Sequence, residues 1–533
     1  MGVRDYDFVV VGAGSAGCVI ASRLSENPDC SVLLLESGGA DTNPWIHIPL
    51  GYAKTLFNPT LNWRYPTEPE PGLDMRSIDI GAGRVLGGSS SINGMVYIRG
   101  QREDYDEWAR LGNTGWAYDD VLPIFKKMEK QQDINNRYHG TNGELYVSAS
   151  RLKNPICDAF IAASNENRIP HTHDFNGEVQ EGAGYFQFTQ KNGLRWSAAR
   201  AFLATAKQRK NLTVLTRAHA SRVHISSGKV RGISFIHKGH DREVSVRHGV
   251  VLSGGALSSP AVLLRSGIGC SSKLKRHGID TVHELKEVGE NLQDHLQVKL
   301  IFETNIPETL NDYYPRFSGK LKILKDYVVN RSGWLTGSGG AVGAFAATGS
   351  DSRPDIQYHV MPFSAVDPRK GLDKFSGFTI SSCQLRPLSR GSLDIRGRDP
   401  LERPRICFNY LREAVDQETM IRGVRLARDI AGSAPLSDLI KREVLPRSPL
   451  GSDSEILSFI RNYGGTVYHP AGTCRMGNDP TESVVDSQLK VHGVEGLYVA
   501  DASIMPTIIS GNTNAPSMMI GEMAARFIHE NHK

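Results

Sequence analysis

The residues best placed to do chemistry stand near residue 1, where Gly12-Ala-Gly-Ser-Ala-Gly17 follows the apolar run Phe8-Val-Val-Val11. Between a strand and a helix, Gly12 permits a tight turn, Gly14 lets the backbone approach a pyrophosphate, and Gly17 lets the helix pack closely on the strand. Ser15 and Ala16 open that helix, whose free amides face an anion. Glu36 ends the next apolar run, Val32-Leu-Leu-Leu35, where a carboxylate can accept from the ribose hydroxyls of an adenosine without a 2′-phosphate. This pattern disfavours NADP and leaves FAD and NAD both open. A second glycine-rich stretch, Gly83-Arg-Val-Leu-Gly-Gly-Ser-Ser-Ser-Ile-Asn93, is rich in amides that can wrap a phosphate or a ring, or is a purely structural loop. Imidazole is the natural base near neutral pH, but among 17 histidines an arbitrary one is more often a surface or satisfied core residue.

These groups need a scaffold. The amino-terminal stretch reads as a βαβ unit, with a strand at Phe8 to Val11, a helix through Cys18 to Leu24 and a strand at Val32 to Leu35, which begins a buried parallel sheet. Trp63 to Arg84 is rich in Pro and Gly and predicts an extended excursion, and Thr114 to Met128 returns to helical spacing. From about Ile306 to Arg461, strand-like runs (Asp355 to Met361, Gly391 to Arg396) alternate with one helical region, Asp416 to Ala431, as suits an antiparallel sheet carrying helices. Gly496 to Asp501 reads as a further buried strand and Pro516 to His529 as a closing helix, which together rejoin the first sheet.

With 533 residues, 39% hydrophobic and 22% charged, the chain exceeds what one core usually serves, so two domains are expected. The net charge of +5 is dispersed, which argues against nucleic-acid binding. The seven cysteines are scattered and lack a CxxC pair, so neither a disulfide framework nor a metal site is expected, and Cys474 reads as a structural thiol. The apolar run at Phe8 is too short for a signal peptide, and no stretch of about 18 apolar residues occurs. The expected location is cytoplasmic, with peripheral contact at an inner membrane left open and no integral segment.

The order of residues from Gly83 to Gly100 closely resembles the first signature of the glucose-methanol-choline (GMC) oxidoreductases, and Gly255-Ala-Leu-Ser-Ser-Pro-Ala-Val-Leu-Leu-Arg-Ser-Gly-Ile-Gly269 resembles the second. Further similarity at 63–72, 288–295, 469–477 and 499–506 extends it over nearly the whole chain. The resemblance implies an α/β fold, with a Rossmann-like FAD-binding domain on a parallel sheet (1–158, 195–305 and 462–533) and an α+β substrate-binding domain on an antiparallel sheet (159–194 and 306–461). By matching, Val85, Gly88, Ser89, Asn93, Gly94, Met95 and Val96 lie along the flavin, Val223 meets adenine through its backbone, and Asp501 and Ala502 supply further FAD contacts. Family members that bind FAD covalently carry His immediately before the loop Asn. This chain has Ile92, so its FAD is expected to be non-covalent.

Oxidising an alcohol needs a base at the hydroxyl and an acceptor for the hydride. The resemblance assigns the base to His469, in His469-Pro-Ala-Gly-Thr, and the hydride to flavin N5. In Ser510-Gly-Asn-Thr-Asn514 the position of a second family His or Asn is Asn512, an amide suited to a developing alkoxide, with Thr513 and Asn514 on the flavin side. Tyr468 is expected to line the substrate pocket, and by sequence alone Trp334, Tyr358, Phe363 and Phe378 are further candidates for it. The implied reaction is oxidation of a primary alcohol, aromatic or furan-type favoured, to the aldehyde and onward to the acid through the hydrate, with oxygen or a quinone as acceptor. Choline, aliphatic alcohols and sugars are alternatives. Several choline-directed relatives carry Ser-Cys where this chain has Ala471-Gly472. An FAD-containing hydroxynitrile lyase is the alternative from another class.

Overall fold

Every residue of Asp5–Val11 after Asp5 is buried, so this strand lies inside a sheet covered on both faces. In the computed structural model, which describes residues 5–532, it pairs in parallel with Val32–Glu36 on one side and with the carboxyl half of His240–Leu252 on the other. Leu212–Thr216 and Leu497–Val499 extend this parallel arrangement outward. The amino half of His240–Leu252 instead pairs antiparallel with Lys229–His237, which pairs in turn with Ala218–Ser226. One long strand thus joins a parallel nucleotide-binding sheet to an antiparallel meander.

The helix after the glycine turn, Ser15–Leu24, packs against the closing helix, Asn514–Asn531. Two glycines permit this. A Cβ on Gly17 would stand 1.8 Å from the Gly12 carbonyl oxygen, and one on Gly521 would stand 2.8 Å from that of Ala16. The carboxyl-terminal helix is thereby held against the start of the chain.

The second sheet has the strand order Ile440–Leu445, Leu296–Thr304, Gly377–Gln384, Ile356–Met361, Val342–Ala346 and Gly182–Tyr185, all antiparallel, with Gly465–Thr466 also pairing on Leu296–Thr304. The parallel and antiparallel sheets expected from the sequence are both present. Leu296–Thr304, an inner strand of this second sheet, lies within the 195–305 stretch that the sequence reading groups with the FAD-binding domain. Gly391–Arg396 contributes a strand at Ser392–Asp394, but it pairs with Arg405–Cys407 in a separate two-stranded piece.

Alternation along the second sheet separates two environments. Tyr358 and Ile356 face the helix Ala414–Ala431, where the Tyr358 hydroxyl donates to the Gly423 carbonyl at 2.8 Å and a Cβ on Gly423 would meet Ile356 at 2.8 Å. Gln297, Lys299, His359, Met361 and Thr379 face a cavity shared with the first sheet.

Gly17→Ala should lower the thermal midpoint by roughly 1–3 °C, because overpacking of this kind costs ~1–3 kcal/mol and a chain of this length shifts by about 1 °C per kcal/mol. Gly39→Ala, where a Cβ meets nothing within 4 Å, should leave it unchanged. Equal midpoints for the two variants would contradict the packing argument.

Candidate active site

A cavity of about 780 Å³ is lined from both sheets, within the ~300–1,000 Å³ usual for small-ligand sites. Of the residues singled out in the sequence, Gly12, Gly14, Ser15, Ala16, Glu36, Gly88, Ser89, Asn93, Gly94, Met95, Val96, Tyr468, His469, Asp501, Ala502, Asn512, Thr513 and Asn514 all line it. Gly17 and Val85 stand behind this surface. Gly17 spaces the helix, while Val85 packs with Ile46, Leu61 and Ile92. Val223 is also outside the lining: its N–H donates to Ser266 Oγ at 2.8 Å, and Ala218, His219 and Ala220 are the cavity residues of its strand.

One end of the cavity is built for an anion. Neither Ser15–Leu24 nor Asn514–Asn531 has a side-chain cap at its amino end, so both present free amides and the positive end of a helix dipole. Ser15 Oγ donates to Asn514 Oδ1 at 2.7 Å, tying the two ends together. A Cβ on Gly88 would stand 2.7 Å from Gly14 Cα, whereas one on Gly14 would meet only the Ser253 carbonyl oxygen, at 3.9 Å. The two glycine loops therefore touch backbone to backbone and leave a cradle that side chains would fill. Glu36 accepts from Ala13 N–H at 2.9 Å and Gly38 N–H at 2.7 Å, and each oxygen keeps a further lone pair. Burial pushes its carboxyl up to about 7, against the pull of those two amides and of Arg84. The cradle, the paired helix ends and the acceptor fit an adenine dinucleotide.

The second loop is held by a buried cation. Arg195 donates to the Ile46 carbonyl at 2.7 Å, the Ser90 carbonyl at 3.1 Å, the Asn93 carbonyl at 2.7 Å and Asn93 Oδ1 at 2.8 Å. Asn93 Oδ1 also accepts from Met95 N–H at 3.0 Å, and Met95 adopts a left-handed φ of 61°. Ile92 reaches the cavity beside this loop.

At the other end His469 and Asn512 meet, with Asn512 Nδ2 3.2 Å from His469 Nε2. An amide nitrogen only donates, so Nε2 must accept. A second chain of contacts requires the same tautomer. His295 Nε2 lies 2.9 Å from the Leu385 carbonyl, which only accepts, so this nitrogen carries the proton. His295 Nδ1 is then bare and accepts from His469 Nδ1–H at 2.9 Å. His469 is left with a lone pair on Nε2. Burial, and then the neighbouring His295 and His359, hold its pKa well below the ordinary value, so the ring is neutral at working pH. Burial likewise lowers His295 and His359 to about 4.

Each of these two side chains sits on a turn clamped by a buried carboxylate. Asp294 accepts from His469 N–H at 2.7 Å, Thr466 Oγ1 at 2.5 Å and Tyr410 hydroxyl at 2.5 Å. Asp104 accepts from Ser510 N–H at 2.7 Å and Ser510 Oγ at 2.9 Å, and pairs with Arg353. Gln357 Nε2 donates to Asn512 Oδ1 at 3.2 Å and orients that amide. The sequence reading assigns no role to His295, Asp294, Asp104, Gln357 or Arg195. Only His295 and Asp294 lay within a quoted family segment, 288–295. Of the candidates in the central region, Phe363 lines the cavity. Tyr358 and Phe378 lie on the helix-covered face, Phe378 stacked on Phe302, and Trp334 is buried, with its neighbour Leu335 reaching the cavity instead.

A family model described as GMC oxidoreductase matches residues 6–297, and a second of the same description matches residues 387–521. The chain is 43% identical to an alcohol dehydrogenase (acceptor) of Pseudomonas putida, over 98% of this chain and 95% of that one. It is 40% identical to an oxygen-dependent choline dehydrogenase of Brucella anthropi, again over 98% and 95%. Among solved structures, a pyridoxine 4-oxidase from Mesorbium loti superposes with a TM-score of 0.90 at 31% identity, covering 99% of this chain and 100% of that one.

Ribose hydroxyls donating to Glu36 would favour its charged form, so bound FAD should lower this carboxyl's pKa from about 7. By linkage the apo-protein's affinity for FAD should then fall as pH drops below about 7, by up to roughly tenfold per unit, when followed by flavin fluorescence quenching. Glu36→Gln should bind more weakly at pH 8 and lose this pH dependence. A wild-type affinity that is flat from pH 8 to 6 would count against the contact.

Proposed function

The chain belongs to the GMC oxidoreductase family, and from that premise we propose that it oxidises a primary alcohol to the aldehyde with His469 as the base. The observation that carries this reading is the bare Nε2 of His469, fixed by the Leu385–His295 relay and facing the cavity beside the Asn512 amide. FAD, when bound in the cradle, supplies the acceptor for the hydride. A substrate hydroxyl replaces the contact between the two side chains, donating to Nε2 while its oxygen accepts from Asn512 Nδ2. As the proton moves to His469, the negative charge that develops on oxygen meets a donor already in place. Asn512 cannot take a proton, so His469 is the sole base of the pair. The aldehyde hydrate presents the same hydroxyl geometry, which permits a second oxidation to the acid.

Met361, Phe363, Leu310 and Leu335 give the cavity apolar surface, which favours an aromatic or furan-type alcohol. Choline, aliphatic alcohols and sugars stand as alternatives, and the Brucella relative keeps choline among them. None of the three relatives is named as a lyase, so the lyase alternative has no support. Ile92 beside the flavin loop supports non-covalent FAD, since carbon offers no nitrogen for a linkage. Oxygen or a quinone takes the electrons in turn.

Among the described residues no helix is long and apolar enough to cross a membrane. One helix is built for a membrane surface. Phe317–Asn330 buries Gly319, Ile323 and Tyr327 and exposes Phe317, Leu321, Leu324 and Val328 in a stripe, flanked by Lys320, Lys322 and Lys325. Apolar residues bordered by lysines suit an anionic lipid surface, and this helix follows Leu310 and Tyr314 of the cavity lining. We read it as a peripheral anchor.

Anaerobic mixing with primary alcohols should bleach the oxidised flavin, and His469→Gln should slow bleaching by ~10²–10⁴-fold. Because the pKa of His469 is well below its ordinary value, the wild-type rate should stay level as pH falls from 8 through 6.5, where an unperturbed imidazole would be half protonated. A fall centred near 6.5 would mean that the base is not held neutral.

The wild-type protein should co-sediment at low salt with vesicles containing phosphatidylglycerol, and Leu321→Glu combined with Leu324→Glu should release it. Recovery of the wild-type protein in the supernatant would remove the anchor.

A further inference from the structure

Leu296–Thr304 turns Gln297 and Lys299 to the cavity and Val298 and Leu300 to the opposite, fully buried face. Gln297 is occupied structurally, donating to the Thr466 carbonyl at 2.9 Å and accepting from Ser381. Lys299 lies opposite Ser381 in register. Burial alone perturbs its ammonium, in the direction of a lowered pKa, with no carboxylate acting on it. On the same face of the sheet, the neighbouring cavity residues are Thr379, His359 and Met361, and the turn after Thr466 adds Val467 and Tyr468. None of these is an acid.

The acids elsewhere along the cavity are committed to other partners or stand apart. Glu36 is held by Ala13 and Gly38, and Asp501 by Gly255, Ser259 and Ser503. Glu402 sits in the 400–404 segment beside Arg403 and Arg265. Lys299 is half-buried in the cavity wall; an ammonium that loses its water to a bound ligand without gaining a partner is costly, and that cost is offset when the ligand brings the counter-charge.

We propose that Lys299 is the binding point for a carboxylate on the substrate, so that the preferred alcohol carries its hydroxymethyl group toward His469 and a carboxylate at its other end. The inference rests on the alcohol-oxidation reading and narrows it to hydroxymethyl-substituted carboxylic acids, with an apolar or aromatic spacer along Met361 and Phe363. It also sets the site against quaternary ammonium alcohols, which would place a second cation beside Lys299.

The test compares 4-(hydroxymethyl)benzoate with its methyl ester on the FAD-loaded protein, by anaerobic bleaching and by the spectral perturbation of oxidised flavin on titration with benzoate, which has no alcohol to oxidise. Charge-assisted contacts of ~1.5–3 kcal/mol predict that half-saturation for the acid lies roughly tenfold or more below that for the ester. In Lys299→Met the acid-to-ester preference should vanish and the benzoate perturbation should be lost, and Lys299→Arg should restore part of both. Equal half-saturation for acid and ester in the wild-type protein, or a preference surviving in Lys299→Met, would overturn the proposal. If benzoate perturbs the flavin through Lys299 while no alcohol bleaches it, the carboxylate site stands and the alcohol-oxidation reading fails.

Discussion

The carboxylate of Asp294 fixes the turn that carries His469, on which the proposed chemistry depends. Tyr468, the residue before His469, has a left-handed φ of 68°, a conformation that costs a non-glycine residue ~1–3 kcal/mol. It persists because the residues on either side are tied down. His469 N–H and Thr466 Oγ1 both donate to Asp294, and Tyr468 N–H donates to Thr466 Oγ1 at 2.6 Å. Burial pushes the Asp294 carboxyl up to about 6 even against these donors, so its charge is retained at the expense of desolvation. Asp104 does the same for the Ser510–Asn514 turn. Two buried carboxylates, distant in sequence, thus hold His469 and Asn512 at hydrogen-bonding distance, and neither touches the cavity itself.

With Asp501 tied to Gly255, Ser259 and Ser503 and Glu36 at the nucleotide end, the cavity has a consistent electrostatic character. Two uncapped helix ends, the Arg195 guanidinium behind the flavin loop and the Lys299 ammonium all contribute positive potential. The three imidazoles, His469, His295 and His359, are kept neutral by burial. Such a field suits a diphosphate and an electron-accepting ring. Burial, and then His295 and His359, hold the pKa of His469 well below its ordinary value, which keeps the ring from adding a further buried cation.

How much of this was legible in the sequence follows from how local each determinant is. The glycine turn, Glu36 and the strands around them form one continuous βαβ unit, so spacing alone was enough. His469 and Asn512 were singled out by resemblance, each in a short segment of fixed order, and the fold brings the two side chains together. The relay was not, because His295 acquires its role only when Leu385 and His469, far apart in the chain, meet it on both sides. Gln357 and Lys299 were hidden for another reason. A polar residue alternating with apolar ones marks a strand with one wet face, and nothing in that alternation says whether the wet face meets solvent or a cavity. Val223 shows the converse, a residue carried over by matching whose N–H is already taken by Ser266.

The second sheet makes the cavity wall replaceable without endangering the fold. Ile356, Tyr358 and Val360 are buried on the helix-covered face, while His359 and Met361, the residues between and after them, line the cavity and Gln357 orients Asn512. Because side chains alternate with a period of two, a one-residue slip would exchange these sets and bury the polar ones against the helix Ala414–Ala431, so the register is strongly fixed. Substitution on the cavity side at Lys299, Met361 or Thr379 changes what the wall recognises while the packing that sets the register stays intact. His469 is held by Asp294, and Asn512 stands on a turn held by Asp104 and takes its orientation from Gln357 of this sheet. On the proposed reading, a change of recognition at Lys299, Met361 or Thr379 leaves Asp294, Asp104 and Gln357, and with them the placement of His469 and Asn512, as they are.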